Sequence, residues 1–418
     1  MKVLIKPTSI IGSTIIPGSK SITHRAIICA AFSKDVVTIE NANICDDTKI
    51  TMELLKNIGV NFEIFENTIK VIPPKSFTAP KKVVNAHNSG TSIRFMGPIY
   101  WQLFHKFEVM VDNRMYERLI ETQDGTNTSI KIITKSTEHV HISIEFLSFQ
   151  SLINTSKTSQ YTSGTILSTI IDQGASLCFN ETVLKNPYVK MTIQVMKDFA
   201  FSIEIATNFM INVHQNKSIK TYCVESDYSL AANFLVMGML NGDVSCASFH
   251  KNSCQGDSKI VEYLKKLNGD IKYDNGIITS KSSTPIPGNF KLGDTPDLVP
   301  LIAALLAITP GKSKIENIQR LKYKETNRIN ETIKILTTLG GNISLNGDSL
   351  LISGQEMLDN PNYLLLPNDH RLVMMVIAIS SHFKNPIILD NVEAINKSYP
   401  NFINTYLELG GNCENIDS

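Results

Sequence analysis

Apolar and polar positions fall into blocks along this chain, and the blocks recur. Pro17-Gly18 closes a strand-like stretch, and the apolar run from Ala26 to Phe32 then follows a polar start, a pattern that predicts a buried helix. Helix-like segments with a polar or charged first turn begin near Lys20, Asn88, Ser159, Asp227, Asp297 and His370, spaced by 68, 71, 68, 70 and 73 residues. A second series is offset from the first. Apolar helix ends followed by Gly, or once Ala, and then by a strand-like segment fall at Gly59, Gly125, Ala200, Gly269, Gly340 and Gly410, spaced by 66, 75, 69, 71 and 70 residues, with Gly125 the weakest sign. A period of about 70 residues taken six times fills the chain. Each repeat is expected to hold two helices and several short strands. The small residue at one helix end should take the left-handed C′ conformation. Six helix starts that collect Lys, Arg, Asp, Gln and His predict N-termini gathered on one cleft.

The stretches between these helices read as strands. Residues 2–16 read as two short strands, residues 35–41 as a strand, 61–72 as a hairpin, and 129–146 as alternating strands. Within the last, His139 and His141 share a face and read as exposed. Asp46-Asp47-Thr48 caps a helix running to Gly59, and Pro187-Tyr188 starts another.

Composition narrows the function. The chain has 418 residues, a 42% hydrophobic and 19% charged composition and a formal net charge of +1. That is a globular composition with a core large enough for two or three domains. A near-zero charge disfavours nucleic-acid or acidic-lipid partners, so clustered cations suit a small anion better. The seven cysteines form no CxxC pair and no zinc spacing, and most read as buried thiols in a reducing cytoplasm. No signal peptide or membrane span is read from the sequence.

The candidate chemistry lies at the helix starts. In Pro17-Gly18-Ser19-Lys20-Ser21-Ile22-Thr23-His24-Arg25, Ser19 is placed as an N-cap, and Lys20 and Arg25 add charge to an end that attracts anions. An ordinary capped helix accounts for the stretch about as well. In Asn88-Ser89-Gly90-Thr91-Ser92-Ile93-Arg94, Gly90 admits a close ligand, although a capped core helix is the simpler reading. Asp297 opens an almost wholly apolar helix and is read as its cap. Lys324 and Arg328 are placed four apart on one helix face, which favours an anionic ligand over a solvated surface.

Taken in order, PGSKSITHR, NSGTSIR, NRMYER, TSQY, PYVKMT, KYKETNR, NDHR and KSYP resemble the enolpyruvyl transferase family, from Pro17 to Pro400. The resemblance implies an inside-out α/β barrel arrangement of two domains, each with three βαβαββ repeats. One domain would span residues 20–225. The other would join residues 1–19 to 226–418, with the active site in the cleft between them. The implied reaction carries the enolpyruvyl group of phosphoenolpyruvate to the 5-hydroxyl of shikimate 3-phosphate and releases phosphate, on the route to the aromatic amino acids. No metal or organic cofactor is implied. A cytoplasmic monomer acting on these two small molecules is expected, with no nucleic-acid or membrane partner. The herbicide glyphosate is expected to compete with phosphoenolpyruvate, because Gly90 leaves room beside the site.

By the same resemblance, Lys20 would contact both substrates, and Ser21 and Arg25 would hold the shikimate moiety. Gly90, Arg114, Gln160 and Lys397 would surround the phosphoenolpyruvate phosphate, and Arg328 and Arg371 its carboxylate. Thr158 and Ser159 would take the phosphate of the acceptor, and Tyr188 would pack on its ring. Asp297 would be the base for the 5-hydroxyl, assisted by Lys324. Glu325 would give and then remove the methylene proton. Thr158, Lys185, Arg320, Val111, Asn113, Leu119 and Asn327 depart from the family pattern. Two rivals are a sister enzyme acting on UDP-N-acetylglucosamine and a non-catalytic binding protein of the same fold. Ser21, where the sister enzyme has Asn, and the lack of a Cys between Cys45 and Cys178 argue against the first. The retained charged set argues against the second.

Overall fold

The computed structural model describes residues 1–123, 128–154, 156–171, 177–205, 210–215 and 217–416. The chain divides into two compact units: unit 1 is Met1–Pro17 with Ser226–Ser418, and unit 2 is Gly18–Glu225.

The predicted helix starts become helices. In unit 2 the helices are α1 (Lys20–Ala31), α2 (Asp46–Asn57), α3 (Gly90–Phe104), α4 (Asn113–Glu121), α5 (Gln160–Ser168), α6 (Glu181–Lys185) and α7 (Pro187–Asp198); α6, capped by Asn180, stands where the sequence reads as a strand. In unit 1 they are α8 (Tyr228–Asn241), α9 (Ile260–Lys266), α10 (Val299–Ala307), α11 (Arg328–Thr338), α12 (His370–Ala378) and α13 (Phe402–Glu408). The second series follows α2, α7, α9, α11 and α13; Gly125 lies outside the described residues. Gly59, Ala200, Gly340 and Gly410 take positive φ, as expected of helix-ending residues. After α9 the left-handed residue is Asn268, with φ +70°, and not Gly269. Asn tolerates that region well, so the turn is made one residue earlier.

Among the described residues each unit holds three sheets, five of the six built alike. In the first of unit 2, Thr221–Cys223 runs parallel to Val37–Glu40, which pairs antiparallel with Thr68–Ile72 and that with Asn61–Phe65. The second repeats this order with Val84–Asn85, Glu108–Asp112, His139–Phe146 and Thr128–Lys135. The third has three described strands, Leu177–Cys178, Met210–Gln215 and Phe201–Ile205. In unit 1 the N-terminal segment completes two sheets. Ile11–Ile15 runs parallel to Asp243–Ala247, and Lys2–Lys6 lies between Ile387–Asp390 and Asn412–Asn415. This is why residues before Pro17 belong with those after Ser226.

The first-series helices are the buried ones. Every residue of α10 and α12 is buried, as is nearly all of α8. A helix apolar all round must sit inside, so α8, α10 and α12 form the centre of unit 1. In unit 2, α5 crosses α3 at Gly164, where an added Cβ would lie 2.1 Å from the Arg94 carbonyl oxygen and 2.9 Å from Phe95 Cα. Backbone cannot give way as a side-chain tip can. Gly164→Ala is therefore expected to cost about 1–3 kcal/mol of stability, read from urea denaturation midpoints.

Some local expectations change. Ser19 occupies the cap position of α1 but makes no side-chain capping bond. Cys45 caps α2, in a reciprocal arrangement with Thr48. His139 and His141 are half-buried, because the neighbouring strand sets Asp112 and Glu108 beside them. Of the seven cysteines, Cys29, Cys45 and Cys246 are buried, whereas Cys178 and Cys223 are exposed, so buried thiols are the minority. No helix among the described residues is long and apolar enough to cross a membrane.

Candidate active site

In unit 2 the starts of α1, α3 and α5 carry the candidate residues. Lys20, at the first position of α1, pairs with Asp47 of α2 at 2.8 Å, with both side chains largely buried. Gln160 opens α5 and reaches α3: its Nε2 donates to Thr91 Oγ1 at 2.9 Å, and its Oε1 accepts from Arg94 Nη1 at 2.8 Å. Gly90 lies against this group. An added Cβ would sit 2.7 Å from Arg94 Nη1, 3.0 Å from Arg118 Nη2 and 3.4 Å from Gln160 Oε1. Ser159 is buried, and the Thr158 hydroxyl accepts from the Gln160 N–H at 3.2 Å. Gly90→Ala would push two guanidinium tips aside. On the placement beside phosphoenolpyruvate that the resemblance implies for Gly90, the change is expected to raise the KM for that substrate several-fold with little loss of stability, as read by steady-state kinetics beside a thermal melt.

Arg25 is placed differently from a surface anion receptor. It is 2% exposed, and its donors go to Thr192 Oγ1, the Ser21 and Tyr188 carbonyls and Ser163 Oγ. It ties α1 to α5 and α7 and so positions Ser21 and Tyr188. Arg114 pairs with Glu117 at 3.0 Å and Glu121 at 3.1 Å on its own helix. The α4 guanidinium against Gly90 belongs to Arg118, which is buried and donates to Asn88 Oδ1 at 2.6 Å. Arg94 and Arg118 close the NSGTSIR and NRMYER motifs, and sequence reasoning passed over both. Their signal was an arginine one turn beyond each polar start, on the buried face.

In unit 1 the charged residues converge more tightly. Asp297 lies in the single-turn 3₁₀ helix Pro296–Leu298 ahead of α10. Its Oδ1 accepts from Lys324 Nζ at 3.0 Å and Arg328 Nη1 at 2.6 Å, and Arg371 Nη2 lies 3.9 Å from its Oδ2. The cap expected of Asp297 is thus a carboxylate held by cations from two other segments. Burial opposes its charge, but Lys324, Arg328 and Arg371 together outweigh that and hold the carboxyl well below the usual range. Burial draws the Lys324 ammonium down, with Asp297 acting against it. Lys324 is extended and α11 begins only at Arg328, so the two cations share no helix face; they meet because both reach Asp297.

Arg328 is 1% exposed and surrounded by carboxylates. Its Nη2 donates to Glu325 at 2.5 Å, and Asp369 takes its Nε at 2.7 Å and its Nη2 at 3.1 Å. Asp369, which sequence reasoning treated only as part of a helix start, is fully buried and also accepts from the Arg371 N–H. It therefore caps α12 and anchors Arg328 at once. Arg371 is 8% exposed, and its Nε and Nη1 are buried without an acceptor. Two orphaned guanidinium N–H directions in a buried site are costly unless a ligand fills them. Lys397 ends the 3₁₀ helix Val392–Lys397, which packs against α12.

The departures from pattern mostly have local accounts. Val111 and Leu119 are core residues. Asn327 caps α11, a task Asn and Asp perform equally. Asn113 donates to the Thr137 carbonyl. Lys185 is exposed and pairs with Glu181 at 2.7 Å one turn away. Arg320 Nη1 donates to the Gly293 carbonyl at 3.4 Å.

Comparison with known proteins places this arrangement. The profile described as EPSP synthase (3-phosphoshikimate 1-carboxyvinyltransferase) matches residues 5–406. The 3-phosphoshikimate 1-carboxyvinyltransferase of Brachyspira hyodysenteriae is 31% identical over 98% of this chain and 99% of its own length. That of Clostridium kluyveri is 30% identical over 99% of this chain and 98% of its own. Among solved structures, an EPSP synthase from Acinetobacter baumannii superposes with a TM-score of 0.75 at 21% identity, covering 99% of each chain. The enolpyruvyl transferase NikO from Streptomyces tendae gives a TM-score of 0.76 at 13% identity, covering 99% of this chain and 98% of its own. These likenesses establish the inside-out α/β fold of enolpyruvyl transferases. With the profile spanning nearly the whole chain and full-length relatives at this identity, the chain belongs to the EPSP synthase family.

Proposed function

We propose that this protein transfers the enolpyruvyl group of phosphoenolpyruvate to the 5-hydroxyl of shikimate 3-phosphate, releasing phosphate. The observation that carries the reading is the unit 1 cluster: an ionised carboxylate, Asp297, beside a buried Arg371 with two unfilled guanidinium nitrogens. One is a proton acceptor and the other a receptor for a carboxylate.

In this reading Asp297 takes the 5-hydroxyl proton and the oxygen attacks C2 of phosphoenolpyruvate, while Glu325 delivers a proton to the methylene carbon. The product of addition is a tetrahedral ketal. Glu325 then removes a methyl proton, the double bond re-forms and phosphate leaves. Arg371 and Arg328 receive the phosphoenolpyruvate carboxylate. Until then Arg328 is engaged by Asp297, Glu325 and Asp369. A substrate carboxylate drawing Arg328 and Arg371 toward itself would relieve Asp297 of part of its cationic surround. Its basicity would then rise when the acceptor hydroxyl arrives. In unit 2, Lys20, Ser21, Thr158, Ser159, Gln160 and Tyr188 serve the acceptor. Gly90, Gln160 and Arg114 serve the transferred phosphate, with Lys397 from unit 1.

Phosphate release from phosphoenolpyruvate tests the reading, with shikimate 3-phosphate or UDP-N-acetylglucosamine as acceptor. Release with the first alone is expected. Release with the second alone would assign the sister activity. Release with neither, from folded protein that binds shikimate 3-phosphate, would assign a binding role.

A further inference from the structure

A buried carboxylate outside the proposed catalytic set lies in unit 1, within the electrostatic reach of Asp297 and Arg371. Asp257 lies in the 3₁₀ turn Gly256–Lys259 that leads into α9. Gln255 fastens this turn to the start of α8: its side-chain oxygen accepts from the Tyr228 N–H at 3.2 Å, and its amide donates to the Ser226 carbonyl at 2.8 Å. Asp257 is 6% exposed. The Ser229 hydroxyl donates to its Oδ2, and its buried Oδ1 meets no hydrogen-bond donor. An ionised carboxylate offers about four acceptor sites. A single donor leaves most of its charge unserved, and burying such a charge is expensive.

The charges acting on Asp257 sharpen this. They come from Asp227 ahead of α8, Asp297 ahead of α10 and Arg371 on α12, and Tyr263 on α9 feels the Asp257 charge in turn. Two are carboxylates and one is a cation. Burial first, and the Asp297 charge second, push the Asp257 carboxyl up to about 7, against the pull of Ser229 and Arg371.

We propose that Asp257 couples phosphoenolpyruvate binding to proton uptake, as a positioning residue that sets the charge around Arg371 without touching substrate. The inference rests on the reading that Arg371 receives the phosphoenolpyruvate carboxylate. An anion on Arg371 neutralises the cation that favours ionised Asp257, so the carboxyl gains a proton as the anion arrives. Linkage is reciprocal: the anion must bind more weakly as rising pH strips that proton away.

Two measurements on wild type and Asp257→Asn test this. One is kcat/KM for phosphoenolpyruvate between about pH 6 and 8.5, a range that brackets a carboxyl so displaced from its ordinary value. The other is calorimetry near neutral pH in buffers of different ionisation enthalpy. Its probe is 2-phosphoglycolate, which carries a phosphate and a carboxylate but no double bond. Wild type is expected to take up a larger fraction of a proton than Asp257→Asn, and its kcat/KM to fall by about 5- to 10-fold more across the range. Equal uptake and an identical alkaline limb in Asp257→Asn would overturn the proposal. Ser229→Ala supplies a second arm should the Asn variant misfold. It removes a donor that favours the ionised form, so the alkaline limb should move to higher pH, and a limb that stays put overturns the coupling. Failure of wild type to bind either phosphoglycolate or phosphoenolpyruvate would overturn the Arg371 reading as well. Binding without a proton difference would overturn the coupling alone.

Discussion

Asp297→Asn is expected to lower kcat by about 10²–10⁴-fold, the usual contribution of a positioned general base. The amide keeps the size of the side chain and loses both its charge and its ability to accept the hydroxyl proton. Three cations reach Asp297, and their combined field keeps it ionised far below neutral pH. The base is therefore present across the whole physiological range, and no acidic limb near neutrality should arise from Asp297. Because Arg328 retains Asp369 and Glu325 as partners in the variant, the fold should survive. Binding of shikimate 3-phosphate should hold within a few-fold, measured by equilibrium titration. A kcat within tenfold of wild type would remove Asp297 from the base role.

Asp369→Ala should have the largest effect on stability. Its carboxylate meets Arg328 through two hydrogen bonds in a fully buried setting and also caps α12. Breaking a buried pair costs about 3–5 kcal/mol when the other charge is left alone; Arg328 keeps Asp297 and Glu325, which should hold the loss to the lower end of that range. Losing the cap adds about 1 kcal/mol. Asp369→Asn separates the two, because Asn keeps the cap and loses the charge. Urea denaturation should rank wild type, Asn and Ala in falling order. The KM for phosphoenolpyruvate should rise in both variants, since Arg328 would no longer be aimed by a two-point anchor. A loss below about 1 kcal/mol in the Ala variant would mean that Asp297 and Glu325 suffice to hold Arg328.

The two arginines of the glycine-flanked site show how far motif reading reaches. Gly90 was legible as a place for close approach, but NSGTSIR read more simply as a capped core helix, and only the family resemblance tied it and NRMYER to an anion. Which guanidinium faces Gly90 was not. Arg114 is nearer the strand end and was the natural choice, yet it pairs with Glu117 and Glu121, while Arg118, one turn on, lies against Gly90. A one-turn displacement along a helix keeps the same face, so sequence spacing cannot separate the two positions.

The amino-acid sequence by itself determined the repeat, the helices and most helix ends of this protein. Local rules suffice there: an apolar run buries a helix, a small or amide residue closes it, and a polar start opens it. The interrupted domain was expected only from the family resemblance; in the structure the first two strands complete sheets built from residues after Ser226. Tertiary structure alone decided the site's electrostatics. Asp297 reads locally as a cap, Lys324 and Arg328 as a helical pair and Asp369 as part of a helix start, and nothing in the sequence singles out Asp257. Charges 27 to 41 residues apart become contacts at 2.6–3.1 Å only when α10, α11 and α12 pack. Carboxyl behaviour in such a cluster depends on burial and on neighbours distant in sequence, and neither is written in the order of residues.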